Sequence, residues 1–353
     1  MREPSSHVVI FCLLIAAVGA AQQNPFRETL VAPLDPGLRL NMPPTPCPSG
    51  SIRSVGADTM AELTKRWVRD FNKLCPDVNI TTASEGSMTG IPALLDGSAD
   101  IAPMAREPLE SETEAFRAKF GYEPLGIEVA GGAYRKPSSS PALVFFVNRD
   151  NPVDHLTLQQ LDAVLSSTRK RGYPIDITTW GQLGAKGKWK DAPIHLYTVR
   201  QPNGIPHFLQ LRVCLGGALK PTFQELDIKQ TVPVMDRLAQ VPADDRFALA
   251  YAALSNQKPG TKSLSLTERD HMPFYGPTFE AVLTREYPLA RPIYIYINLI
   301  PGSAINPADK AFLLYILSRE GQADVVDEGV MLPLREKQVN EQIHKLQNLP
   351  TRV

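Results

Sequence analysis

Residues 51–97 read SIRSVGADTMAELTKRWVRDFNKLCPDVNITTASEGSMTGIPALLDG, and this stretch decides the fold class. A short strand is predicted at 51–55, and a second strand at 78–82 alternates apolar and polar residues. Each strand is followed by a helix; the first carries apolar residues at helical spacing, namely Met60, Leu63, Trp67, Val68 and Phe71. A β-α-β-α beginning of this kind is typical of α/β sheets.

Further elements later in the chain fit the same fold class. Residues 142–147, ALVFFV, form a continuous apolar run of the kind found in strands buried on both faces. Thr157 and Gln160 have the spacing of a capping box at a helix start. Residues 292–300, PIYIYINLI, predict another strand, and an amphipathic helix is predicted at 307–318. The chain is therefore expected to be an α/β protein.

The first 50 residues are expected to be a signal peptide followed by a leader that lies on or before the first domain. Residues 1–21 have a basic start at Arg2, an apolar run at 8–18 and small residues at 19–21. This pattern predicts a cleaved secretory signal peptide, because the apolar run is too short to span a bilayer comfortably. Residues 22–50 are rich in proline and predict an extended leader. The protein is expected to be periplasmic or secreted.

Composition and cysteine count limit the possible functions. The 353 residues contain 37 Lys and Arg against 37 Asp and Glu, so no bulk field attracts nucleic acid and any anion site must be local. Beyond the signal peptide stand Cys47, Cys75 and Cys214, an odd number. One disulfide with one buried thiol is possible, and so are three unpaired cysteines. Their spacing fits no zinc pattern, so neither a metal nor a cofactor is predicted.

Two loops have the composition of an oxyanion site. GADTMAEL at 56–63 and EGSMTGI at 85–91 each join a predicted strand to a predicted helix through small and hydroxyl residues. A helix start offers unpaired backbone N–H groups and the positive end of the helix dipole. Thr59, Ser87 and Thr89 add hydroxyl groups. The alternative is that these side chains only cap their helices.

Two arginines follow predicted strand ends, where open α/β sheets bind their ligands. Arg106 follows ADIAPMA, and Arg200 follows HLYTV shortly before a glycine turn at Gly204. A guanidinium group can bind an oxyanion with two parallel hydrogen bonds. Taken alone, an arginine in such a position is more often a surface or ion-pair residue. No nucleophile elbow, zinc-protease helix or P-loop occurs, so no catalytic residue is predicted.

The order of several segments resembles the phosphate-binding proteins of ABC transporters. The resemblance runs from about residue 51 to 334 and is carried by SVGADTMAEL, EGSMTGIPALLDGSADIAPMAREPL, REYPLARPIYIYI and LLYILSREGQADVVDEGVMLPL. It implies a type II periplasmic-binding-protein fold, with two α/β lobes that each hold a mixed sheet flanked by helices. The first lobe is expected at 51–141 plus 254–345 and the second at 142–253. A monomer that closes on its ligand and docks on an inner-membrane ABC permease is implied.

The resemblance also implies a ligand site. The family's second loop, glycine-serine-x-threonine-glycine, is intact at 86–90, whereas Ala57 and Ala105 stand where the first and third loops have serine. In the fourth loop, at 200–205, Asn203 and Ile205 replace serine and threonine. Carried over position by position, the implied ligand residues are Thr59, Ser87, Thr89, Arg106, Arg200, Asn203 and Gly204.

These residues predict an exported binding protein for phosphate or a related oxyanion. Because several hydroxyl groups are replaced, a cleft remodelled for another solute, or a sensing or surface role, is the main alternative. A secreted phosphoester hydrolase with Ser87 as nucleophile is a further alternative, although it lacks a base within any recognisable motif.

Overall fold

The structure is a computed structural model that describes residues 31–39, 47–134, 136, 139–200, 203–226 and 231–347. The predicted signal peptide at 1–21 lies outside the described residues, as do positions 22–30 and 40–46 of the predicted leader. None of the helices in the described ranges is long and apolar enough to cross a membrane.

Strands and helices alternate in the first part of the chain. They are β1 (Gly50–Gly56), α1 (Ala61–Leu74), β2 (Val78–Ser84), α2 (Ser87–Asp96), β3 (Ile101–Met104), α3 (Glu110–Phe120) and β4 (Leu125–Gly131). The middle part contains β5 (Leu143–Asn148), β6 (His155–Thr157), α4 (Leu158–Leu165), β7 (His195–Val199), α5 (Gly204–Arg212), β8 (Gln224–Leu226), α6 (Thr231–Asp244), β9 (Ala248–Ala253), β10 (Thr261–Ser263), β11 (Ser265–Thr267) and α7 (Phe279–Leu283). The last part contains β12 (Pro292–Ile297), α8 (Pro307–Ile316), α9 (Arg319–Glu328) and α10 (Glu336–Gln347).

Two five-stranded mixed sheets define two lobes. The first has the order β2-β1-β3-β12-β4, in which β1 is parallel to β2 and β3 while β12 is antiparallel to both of its neighbours. The second has the order β10-β5-β9-β7-β8, in which β5 is antiparallel to β9 and β10. The expected two-lobed α/β architecture with a mixed sheet in each lobe is confirmed.

Each lobe has its own hydrophobic core. In the first lobe, α1, α8 and α9 pack on one face of the sheet, and Trp67 and Phe71 of α1 are fully buried there. The indole N–H of Trp67 donates a hydrogen bond of 2.8 Å to the Gly321 carbonyl, so this buried polar group is satisfied. The second lobe is built around β5 and β9, whose residues are almost all buried.

Most predicted elements are confirmed, including the capping box. The Thr157 hydroxyl accepts from the Gln160 amide at 3.0 Å, and the Gln160 side chain accepts from the Thr157 amide at 3.0 Å. The strand predicted at 292–300 ends instead at Ile297. It ends there because Ile297 pairs with the first residues of both neighbouring strands, Ile101 and Leu125, and no partner strand continues beyond them.

Strand pairing and core packing bear on where the chain returns from the second lobe to the first, which is expected at residue 254. Strand β10 belongs to the second sheet, and buried residues up to Ala290 pack in the second core. The two chain segments that cross between the lobes lie side by side, since the Gly132 amide donates to the Arg291 carbonyl at 2.8 Å. We therefore propose that the second crossover lies near Arg291.

Residues 35–38 of the leader pack on the first lobe. Leu38 is buried in the first core, and the Arg335 guanidinium forms an ion pair of 3.0 Å with Asp35. A disulfide joins Cys47 to Cys75, while Cys214 is a buried thiol. This is one of the two arrangements that the odd cysteine count allowed. Burial raises the pKa of the Cys214 thiol to about 12, with Asp162 adding to the effect.

Candidate functional site

A cavity of about 430 Å³ lies between the two lobes at the carboxyl ends of their strands. We call it the interlobe cavity. Its lining residues come from the loops after β1, β2, β3 and β7, from β5, α6 and β9, and from the crossovers. They are Asp58, Thr59, Ser87, Ala105, Arg106, Ser140, Pro141, Leu143, Asn203, Gly204, Ile205, Met235, Ala253 and Arg291. Five of the seven predicted ligand residues are therefore brought together here.

The loop after β1 presents Thr59 to the cavity. Gly56 allows this loop to pass close to β3, because a Cβ on Gly56 would lie 2.1 Å from the Pro103 carbonyl oxygen. The Thr59 hydroxyl is enclosed and makes no hydrogen bond with any part of the chain that the structure describes. An enclosed hydroxyl without a partner costs free energy, so a ligand oxygen in the cavity is a natural acceptor for it.

The loop after β2 brings the start of α2 to the cavity. Gly86 has a φ of +110°, which favours glycine, and lets the chain turn directly into the helix at Ser87. The Ser87 hydroxyl accepts a 3.2 Å hydrogen bond from the Ala105 amide. Thr89 is not among the cavity-lining residues; its hydroxyl donates to the Gly86 carbonyl at 2.8 Å and thus stabilises the loop.

Arg106 lines the cavity, but its guanidinium group is already paired. Its Nη1 and Nη2 donate to the two carboxylate oxygens of Glu112 at 2.7 and 2.8 Å, and both side chains are about nine-tenths buried. Nη2 also donates to the Ser87 carbonyl at 3.0 Å. The charge of Arg106 is therefore neutralised within the first lobe, and its stem packs near Gly204, where an added Cβ would lie 3.2 Å from Arg106 Cδ.

The loop after β7 brings the second helix start to the cavity. Asn203 caps α5, since its side-chain oxygen accepts from the Ile205 amide at 2.9 Å, and Gly204 begins the helix. Arg200 is exposed at the end of β7 and is not among the lining residues of the cavity as the described residues define it. Positions 201 and 202 of this predicted loop lie outside the described residues.

Sequence reasoning missed two polar residues of the cavity. Ser140 has a φ of +49°, unusual for serine, and its hydroxyl donates to the Ala105 carbonyl. Arg291 is only 6% exposed, and burial lowers its pKa, while nearby Glu107 acts in the opposite direction. Arg291 stands in the segment REYPLARPIYIYI, immediately before a strongly apolar strand. A charged residue in that position was the sequence feature that could have identified it as a site residue.

The site shows no sign of a metal centre. Within the ranges that the structure covers, no group of three or more His, Cys, Asp or Glu side chains is arranged to hold a metal ion. Apart from the exposed carboxylate of Asp58, the cavity offers the Thr59 hydroxyl, the first turns of two helices and the buried guanidinium group of Arg291. These groups all favour an anion.

Comparison with known proteins agrees with this architecture. A family model described as a PBP superfamily domain matches residues 41–320. Over 331 residues the chain is 32% identical to the phosphate-binding protein PstS of Pseudomonas aeruginosa, covering 94% of this chain and 95% of that protein. It is 23% identical over 288 residues to Protein SphX of Synechococcus elongatus, covering 80% of this chain and 78% of that protein.

Two solved structures share the fold. An ABC-type phosphate transport receptor from Vibrio cholerae is similar with a TM-score of 0.50 at 20% identity, covering 80% of this chain and 100% of that one. PstS from Borrelia burgdorferi is similar with a TM-score of 0.50 at 17% identity, covering 81% of this chain and 100% of that one.

Proposed function

Since the chain belongs to the PBP superfamily and, within it, to the family of PstS phosphate-binding proteins, we propose that it is an exported solute-binding protein that captures phosphate or a related oxyanion in the interlobe cavity. Residues 1–21 would direct its export. The name of the Pseudomonas aeruginosa relative supports phosphate as the ligand. The partner would be an ABC permease, on which the closed monomer would dock.

The observation that carries this proposal is the convergence of two helix starts on one cavity. Helix α2 of the first lobe begins at Ser87 and α5 of the second lobe begins at Gly204, and both residues line the cavity beside the unpartnered Thr59 hydroxyl. The first N–H groups of a helix have no partner within it, and the helix dipole attracts an anion. Because the two helices belong to different lobes, an anion bound to both would draw the lobes together.

Binding by Ser87 is favoured over catalysis. The hydrogen-bond partner of the Ser87 hydroxyl in the described part of the chain is the Ala105 amide, not a histidine or a carboxylate. A serine nucleophile needs a base that removes its proton. The proposed role of Ser87 is therefore to bind the ligand, with its hydroxyl held in place by the Ala105 amide.

The direct test is isothermal titration of the protein without residues 1–21 with phosphate, after removal of pre-bound ligand. We expect binding, and we expect Thr59→Val to weaken it by roughly 10- to 100-fold, because a hydrogen bond to a charged group contributes about 1.5–3 kcal/mol. Thr82→Val is the matched control, since Thr82 is exposed on edge strand β2 and is not among the lining residues.

A second candidate ligand is a larger oxyanion that carries an apolar group. Leu143, Ile205 and Met235 line one side of the cavity, and its volume lies within the range of small-molecule pockets. A thermal-shift panel of phosphate, sulfate and organic phosphates separates the two candidates. Stabilisation by organic phosphates alone would favour the larger ligand, and no stabilisation by any anion would refute both.

A further inference from the structure

Arg291 is a buried arginine that forms no ion pair within the described residues, although the charge of nearby Glu107 acts on it. Its side chain is 94% enclosed, and no carboxylate lies within 4 Å of its guanidinium group in the described ranges. Its Nε is sealed from solvent and makes no hydrogen bond there. The ring of Phe208, 4.9 Å from the guanidinium carbon, is the aromatic contact that partly compensates the charge.

Such an arrangement is unfavourable in the empty protein. An arginine remains protonated at physiological pH even where burial lowers its pKa, so the charge cannot be removed by deprotonation. A buried charge without a partner destabilises the folded state. Burial without a partner is therefore expected where a ligand supplies the missing negative charge.

Arg106 and Arg291 differ in whether their charge is neutralised within the protein. Both arginines line the interlobe cavity, but Arg106 is neutralised by its two hydrogen bonds to Glu112. The other charged lining residue is Asp58, whose carboxylate is exposed at the rim. Among the lining residues that the structure describes, the arginine without an ion pair is Arg291.

The position of Arg291 in the fold suits this role. It immediately precedes β12, and its carbonyl accepts from the Gly132 amide in the neighbouring crossover. Because the lobes of such a protein rotate about their crossovers, a residue at the crossover moves little during closure. Arg291 can therefore hold an anion before the two helix starts meet around it.

We propose that Arg291, not Arg106, is the charge-bearing contact for the oxyanion, and that Arg106 with Glu112 positions the wall formed by α2 and α5. This inference rests on the proposed function. It further implies that a doubly charged oxyanion is bound in preference to a singly charged one, since each added negative charge interacts with the same unneutralised guanidinium group.

The test compares phosphate binding and thermal stability of Arg291→Met, Arg291→Lys and the wild type at pH 8. We expect Arg291→Met to weaken phosphate binding by at least tenfold and to leave the unliganded protein as stable as the wild type or more stable. A residue with a merely structural role would instead lower the stability of the unliganded protein. Arg212→Met is the matched control, because Arg212 is partly buried but paired with Glu268; it should lose stability and keep its phosphate affinity.

The possible outcomes distinguish a failure of this inference from a failure of the proposed function. Wild-type binding with less than tenfold weakening in Arg291→Met would overturn the inference and leave the proposed function intact. No binding of phosphate, sulfate or arsenate by the wild type would overturn the proposed function and the inference together. If Arg291→Met does not fold, Arg291→Lys decides: tenfold or greater weakening supports the inference, because lysine keeps the charge but loses the planar fork, and unchanged affinity refutes it.

Discussion

Removal of Glu112 should destabilise the first lobe strongly, because it leaves Arg106 buried without its partner. The two side chains are only 9–10% exposed and share two hydrogen bonds of 2.7 and 2.8 Å. Glu112 also accepts from the Leu109 amide at 2.7 Å and so caps α3. Breaking a buried ion pair by removing one partner costs about 3–5 kcal/mol. We expect Glu112→Ala to lower the free energy of unfolding by this amount.

The assay is urea unfolding followed by circular dichroism, with two further variants. Glu112→Gln keeps the size of the side chain and removes its charge, so it separates the lost ion pair from lost packing and should retain most of the effect. Glu114→Ala lies on the same helix at an exposed position and should change the free energy of unfolding by less than about 0.5 kcal/mol. A loss below about 1 kcal/mol in both Glu112 variants would show that Arg106 finds compensation elsewhere, and the reasoning would fail.

Two further predictions concern stability. Burial, with added repulsion from Asp100, raises the pKa of Asp309 from its ordinary 3.8 to about 7, and its Oδ1 has no hydrogen-bond partner in the described chain. Because the folded state holds this proton more tightly than the unfolded state, the protonated Asp309 carboxyl contributes to the free energy of unfolding. This contribution is full below about pH 4 and is lost as the pH rises to about 7. Asp309→Asn should lose that pH dependence and be more stable than the wild type at pH 8 by a few kcal/mol, measured by urea unfolding at pH 4 and pH 8; parallel pH profiles would contradict the assignment. Cys47→Ala combined with Cys75→Ala opens a loop with a sequence separation of 28 and should cost about 3–4 kcal/mol in the same assay, an expectation refuted if reduction of the wild type leaves its unfolding curve unchanged.

Local pattern was sufficient to predict those elements that have a strongly apolar face. The helical spacing of Trp67 and Phe71 and the apolar run at 142–147 correspond to α1 and β5, because each pattern is that of a buried face. The boundary between the two lobes was harder to predict from the sequence. Short strand β10 contains no strong apolar signal, and only its pairing with β5 assigns it to the second sheet.

The candidate site was predictable wherever a loop carried a strand-to-helix signature. Thr59, Ser87 and Gly204 line the cavity as such signatures predict. The position of Thr89 was harder to assign, since a hydroxyl one turn into a helix can face either the ligand or its own loop. Pattern alone does not distinguish these choices; the hydrogen bond from Thr89 to Gly86 does.

Because several of the family's hydroxyl groups are replaced in this chain, other donors must bind the anion. Two backbone amides at the replaced positions are not available for this role. The Ala105 amide donates to Ser87, and the Ile205 amide donates to Asn203, so both are engaged inside the protein. Among the buried side-chain atoms of the cavity in the described residues, those without an internal hydrogen-bond partner are the Thr59 hydroxyl and the Nε of Arg291. A site that has lost neutral donors and kept an unneutralised cation should depend more on ligand charge than on the number of hydrogen bonds. Its affinity should accordingly fall steeply when phosphate is protonated from its doubly to its singly charged form, and the fall should be smaller in Arg291→Met.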